Sequence, residues 1–150
     1  MQVKDIMTQT PTYITSTTTI QEAAQKMRDL DCGFVPVAEG EKLVGVVTDR
    51  DITLRATAAG VAFTSPVSQI MSKNVYYCTE TDSMEAVTKN MGAIEVRRLV
   101  VLNNATDKKL VGVVSMGDIA TGCNCATTTN QLTQLVQAVS QTKTKKTKAA

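Results

Sequence analysis

Apolar positions along this chain follow two rhythms, and the whole sequence of rhythms runs twice. Ile20, Ala23, Ala24 and Met27 fall on one face of a helix, as do Met84, Val87, Met91 and Ile94 further on. After each helical stretch come two short runs with strand character. They are Gly33 to Ala38 with Leu43 to Thr48, and Arg98 to Asn103 with Leu110 to Ser115. Glu39-Gly40-Glu41-Lys42 splits the first pair as a hairpin turn. A brief extended segment precedes each helix, 12–15 and 76–79, with Ser, Thr and Asp82 as N-cap candidates. A second helix starts at Asp49 and ends near Gly60, a natural residue just past a helix end; its counterpart starts at Met116.

The duplication is visible residue by residue. Val3-Lys4-Asp5-Ile6-Met7 returns as Val67-Ser68-Gln69-Ile70-Met71, 64 positions on. Tyr13, Thr15, Met27 and Val37 match Tyr77, Thr79, Met91 and Val101. Leu43-Val44-Gly45-Val46-Val47 then matches Leu110-Val111-Gly112-Val113-Val114 at an offset of 67. The three extra residues fall between Asn103 and Lys109, in a stretch that reads as a turn and tolerates insertion at little cost. This organisation predicts a first domain over 1–60, a linker over 61–66 and a second domain over 67–122. Leu132, Leu135, Val136 and Val139 predict a further helix within 123–141, and 142–150 reads as a disordered Lys-rich tail.

The strand-to-helix junctions hold the sharpest motif. Thr48 is placed to cap the helix that follows, and Asp51 stands at its third position; Ser115 and Asp118 repeat the arrangement. Thr-x-x-Asp is close to a capping box, in which each side chain satisfies a free backbone N–H. The same geometry suits a ligand. A carboxylate can accept two hydrogen bonds from a ribose diol, and helix N-termini favour anions.

Lead-in with Ile-Met, strand, helix, two strands and then Gly-Val-Val-Thr-x-x-Asp resembles a CBS domain, and two in tandem resemble the pair called a Bateman module. The likeness covers about residues 3 to 122. Thr48-Asp49-Arg50-Asp51-Ile52, with Leu54-Arg55 and Gly60, is similar to small bacterial and archaeal proteins made of one such pair. The resemblance implies an α/β (α+β) fold of two motifs, each a small sheet with two helices, packed with pseudo-two-fold symmetry. It implies that Asp51 and Asp118 hold ribose, and that Thr48 and Ser115 contact phosphate or ribose. It places the lead-in strand of the other copy as the far wall of each cleft, so that Tyr77 and Cys78 face Asp51 while Ile14 and Thr15 face Asp118. Arg97 and Arg98 stand where a basic pair often meets phosphate, and Arg50 adds a cation within the first motif. The chain departs from the family pattern at Val100, where a Pro is common and where the first copy keeps Pro36.

Composition narrows the function classes. The hydrophobic share is 43% but aromatics are 3%, so the core is aliphatic. The net charge is +2, yet Lys143, Lys145, Lys146 and Lys148 lie in the tail; without them 12 basic side chains face 14 acidic ones. A near-neutral body is not the footprint of a nucleic-acid-binding domain. No apolar run approaches the ~20 residues of a membrane span, and the first residues are polar, so a cytoplasmic protein is expected. The four cysteines, Cys32, Cys78, Cys123 and Cys125, read as free thiols, and one Cys-x-Cys pair in a chain without His is a poor zinc site. The missing His also removes the commonest general base, and no Walker loop or dinucleotide fingerprint is present, so no enzyme is expected. The leading expectation is a regulatory module sensing AMP, ADP, ATP or S-adenosylmethionine, with no required cofactor. It is expected to pair with a second copy through helix faces 19–30 and 83–94, and to act on a separate protein. The alternative is an interaction or scaffold module with vestigial clefts.

Overall fold

The computed structural model describes residues 1–122, 130 and 132–140. The Cys123/Cys125 pair and the 142–150 tail lie outside the described residues. The elements run in chain order as β1 (Thr8–Gln9), α1 (Ile20–Asp29), β2 (Phe34–Glu39), β3 (Lys42–Thr48) and α2 (Asp49–Asp51), which widens into a π-helical stretch, Ile52–Thr57. Then follow β4 (Tyr77–Thr79), α3 (Met84–Ile94), β5 (Arg98–Leu102), β6 (Leu110–Ser115) and α4 (Met116–Gly122). A last helical segment occupies 132–140.

The contacts divide the chain into two compact units. One, here the Asp51 unit, is Pro11–Val75 with Asp107–Leu110. The other, the Asp118 unit, is Met1–Thr10, Tyr76–Thr106 and the described residues from Val111 on. The cut differs from that of the sequence repeat. Each unit holds the helix and two long strands of one repeat together with the Ile-Met lead-in of the other.

In the Asp51 unit, β2 and β3 form an antiparallel hairpin from Phe34↔Thr48 to Glu39↔Lys42, with a register shift at Val37/Ala38. Gly40 turns the hairpin at φ +60, a left-handed value that glycine adopts without strain. Ile14 bridges Val37 in parallel fashion and Ser72 bridges Val46 antiparallel, so short pieces flank the hairpin on both sides. The tip is joined by the stretch that follows the inserted turn: the Leu43 N–H donates to the Lys108 carbonyl at 3.1 Å and Lys109 pairs with Glu41 at 2.7 Å. The Asp118 unit repeats the plan as a sheet of order β1-β6-β5-β4, with β1 antiparallel to β6 and β4 parallel to β5.

The caps fix where the helices begin. Thr19 Oγ1 accepts the Glu22 N–H at 3.2 Å, and Glu22 Oε2 accepts the Thr19 N–H at 2.8 Å, a complete capping box. These bonds from the Thr19 N–H and hydroxyl hold the Glu22 carboxyl below its ordinary value. At α3 the cap is Ser83, whose Oγ accepts the Ala86 N–H; Asp82 instead accepts the Thr79 N–H at 2.8 Å.

Each unit has its own aliphatic core. Ile14, Ile20, Ala23, Met27, Val35, Val37, Val47, Val67 and Ile70 are buried together in the Asp51 unit. Val3, Met84, Val87, Met91, Leu99, Val101, Val114 and Ile119 form the core of the Asp118 unit. Leu135 and Val139 join that second core, so segment 132–140 docks on its own unit. The stripes of α1 and α3 are therefore used within their units.

Candidate functional site

Both strand-to-helix junctions adopt one geometry. In the Asp51 unit the Gly33 carbonyl accepts the Asp49 N–H at 3.0 Å, which sets the end of β3 beside the start of β2. A Cβ at position 33 would stand 2.5 Å from the exposed Asp49 carboxylate, which would have to swing aside. Thr48 then caps α2. Asp51 Oδ2 accepts both the Thr48 N–H and the Thr48 hydroxyl at 3.0 Å, and Thr48 Oγ1 accepts the Asp51 N–H at 3.1 Å. In the Asp118 unit the Arg97 carbonyl accepts the Met116 N–H at 3.1 Å. Asp118 Oδ2 accepts the Ser115 N–H and hydroxyl at 2.7 Å, and Ser115 Oγ accepts the Asp118 N–H at 3.2 Å.

The capping reading of the motif is thus realised at both junctions. It uses one carboxylate oxygen of each Asp. Asp51 is buried, at 8% exposure, and its other oxygen, Oδ1, lies 3.5 Å from Arg55 Nε. Asp118 is half-buried, and its Oδ1 has no partner among the described residues. A carboxylate fixed by its cap, with one oxygen left to face a ligand, is a preorganised acceptor for hydroxyl groups.

The remaining predicted residues sort by unit. Ile14, Thr15, Thr48, Arg50 and Asp51 belong to the Asp51 unit; Tyr77, Cys78, Arg97, Arg98, Ser115 and Asp118 belong to the other. Ile14 is buried in the core, whereas Thr15 is exposed and its hydroxyl lies 3.1 Å from that of Thr17. Arg50, Arg97 and Arg98 are exposed and make no ion pair among the described residues. Tyr77 is exposed on β4, while Cys78 points into the core and its Sγ lies 3.8 Å from the Val100 carbonyl. Sequence reasoning missed the role of Arg55. Its spacing four residues after Asp51 was a usable signal, since such pairs meet on one helix face.

The burial of Cys78 carries a chemical consequence. Burial, with Asp82's negative charge added, pushes its thiol up to about 12. The thiolate is the reactive form, so at pH 8 only about one Cys78 in ten thousand is primed to react. Iodoacetamide at that pH should leave Cys78 unmodified in the folded protein and modify it in denaturant, as read by peptide mass mapping. Equal labelling in both states would show that the thiol is not held inside.

Comparison with known proteins agrees with this architecture. The pattern of the family described as "CBS domain" matches residues 3–56 and 67–123, so this chain belongs to the CBS-domain family as a tandem pair. It is 39% identical over 118 residues to the CBS domain-containing protein YhcV of Bacillus subtilis, covering 79% of this chain and 82% of that one. Among solved structures it is similar to Hypoxic Response Protein I with two coordinated zinc ions, at 31% identity and a TM-score of 0.72 over 80% of this chain and 97% of that one. It is also similar to the CBS domain pair of protein MJ0100 in complex with 5′-methylthioadenosine and S-adenosyl-L-methionine, at 27% identity and a TM-score of 0.70, covering 80% and 93%. The present chain has no His. Among the described residues no group of three or more His, Cys, Asp or Glu is placed to hold a metal ion, and no helix is long and apolar enough to cross a membrane.

Proposed function

We propose that this protein is a regulatory module that binds an adenine-containing small molecule, AMP, ADP, ATP or S-adenosylmethionine, through its two Thr/Ser-x-x-Asp junctions. The observation that carries the reading is the repeated, cap-fixed carboxylate with an oxygen beyond the cap. A capping box needs one oxygen of the Asp; a diol ligand uses the other. The adenosyl compounds bound by the similar MJ0100 pair support this ligand class. Asp51 and Asp118 are the ribose acceptors in this proposal. Thr48 and Ser115 hold them and meet ribose or phosphate; Arg50, Arg97 and Arg98 are exposed cations available to phosphate. The work is binding, with no bond made or broken, and the signal is a shift between conformations that bind the ligand unequally.

Mass spectrometry of nucleotides that copurify with the protein tests the ligand class, and a thermal-shift screen of adenosyl compounds tests it a second way, since a ligand of the folded state raises stability. No adenosyl compound in the first and no shift in the second would leave the interaction-module alternative. Pairing with a second copy is the assembly the family resemblance implies. Light scattering at micromolar concentration is expected to give twice the mass of one chain; the mass of one chain would reject it.

A further inference from the structure

The two junctions diverge at the residue four positions after each carboxylate, which is Arg55 in one unit and Gly122 in the other. Both positions lie against the same element, the Ile of the lead-in. Arg55 Nη1 donates to the Ile70 carbonyl at 3.0 Å and to Ser72 Oγ at 3.2 Å. A Cβ built at Gly122 would stand 2.6 Å from Cγ2 of Ile6, the residue that matches Ile70 in the repeat. One unit thus fills this place with a charge, and in the other Ile6 leaves no room for a side chain.

The charge is held in a specific way. Nη1 is committed to the lead-in, and Nε stands 3.5 Å from Asp51 Oδ1, the oxygen that the Thr48 cap does not use. The Nη2 edge makes no hydrogen bond among the described residues, and the Arg55 side chain is 52% exposed while that of Asp51 is 11% exposed. A guanidinium anchored at one end and open at the other is already ordered for a further acceptor, which lowers the entropy lost on binding.

We propose that Arg55 is a positioning and charge-selecting residue of the Asp51 unit: it orients Asp51 Oδ1 for the ribose hydroxyls and turns its free Nη2 edge to an anionic group on the same ligand. This rests on the adenosyl-ligand reading above. A bare carboxylate that accepts a ribose repels a nearby phosphate. A guanidinium at its side removes that repulsion and adds forked, charge-assisted donors. In the Asp118 unit, Gly122 supplies neither effect at the matching place.

The test is titration calorimetry of the full chain with AMP and with adenosine, which share the nucleoside and differ in the phosphate. Arg55→Met keeps most of the aliphatic stem and removes the charge; Arg55→Lys keeps the charge and loses the fork. The preference for AMP over adenosine is expected to fall about tenfold in Arg55→Met, the scale of one charge-assisted contact, and to recover in part in Arg55→Lys. A loss of equal size for both ligands, or an unchanged preference, would overturn the role of Arg55 while leaving the adenosyl reading in place. A merely structural residue would lower both affinities together. If the unmutated protein binds neither compound, the adenosyl reading fails for these ligands and the role of Arg55 falls with it.

Discussion

Asp51→Ala is expected to weaken AMP binding by about 100-fold, while Asp118→Ala leaves most of it intact. Hydrogen bonds to a charged group contribute about 1.5–3 kcal/mol each, so losing a pair from one ribose removes at least ~3 kcal/mol, and 1.4 kcal/mol is a tenfold change. The asymmetry comes from the charges at each carboxylate. Asp51 has Arg50 beside it in sequence and Arg55 at 3.5 Å, whereas Gly117 and Gly122 occupy the corresponding places by Asp118. Arg97 stands at the strand entry of the Asp118 junction, so the asymmetry rests on Arg55, the cation set against its carboxylate. Truncation at Asp51 also removes the acceptor of the Thr48 N–H and hydroxyl, a loss of about 1 kcal/mol. Titration calorimetry well below each variant's melting temperature separates the two effects, since a folded but uncapped protein still reports its affinity. Equal losses from the two substitutions would sink the asymmetry. Unchanged binding in both would mean that the carboxylates are caps and nothing more.

Much of the architecture was legible because the signals were local. The strand Leu110–Ser115 and the start of a helix at Met116 follow from an apolar run ending in a capping residue, and both stand where the pattern put them. Gly60 adopts the left-handed φ of +70 expected just past a helix end. Thr48 and Asp51 form the box their spacing implied. Two features had no local signal. Thr8–Gln9 is a strand of two exposed polar residues, and it exists because Val113 and Gly112 stand opposite it. Sequence similarity groups the Val3–Met7 lead-in with the helix that follows it in the chain. Packing sets it instead against β6, more than a hundred residues away. Arg55 shows the same limit at the site. Its spacing to Asp51 is visible in the sequence, but its stronger partner, the Ile70 carbonyl, belongs to a segment whose position is set by tertiary packing.

That packing also explains the glycine in each Gly-Val-Val stretch, and Gly45→Ala is expected to cost about 2–3 kcal/mol, the upper part of the range for overpacking. A Cβ at position 45 would lie 2.9 Å from the Ser72 carbonyl oxygen and 3.0 Å from Met71 Sδ. The methionine can swing aside, but the carbonyl cannot. It accepts the Val46 N–H at 3.0 Å, and the Ser72 N–H returns a bond to the Val46 carbonyl at 2.9 Å. Relieving the clash therefore pulls the lead-in off β3, the strand that ends at Thr48, and loosens the Ile70 carbonyl that anchors Arg55. Gly112 is in the same position in the other unit, with Met7 Sδ at 2.6 Å and the Thr8 carbonyl at 3.0 Å. Gly40→Ala is the contrast: its Cβ would meet nothing within 4 Å, and its cost is the left-handed φ alone, about 1 kcal/mol. Denaturant unfolding should rank Gly45→Ala as more destabilising than Gly40→Ala. Hydrogen exchange in Gly45→Ala should lose protection at the Val46 and Ser72 amides before it does at Val35 and Val47. A stability loss under about 0.5 kcal/mol with both amides still protected would mean that the lead-in accommodates a methyl group and that the glycine has another cause.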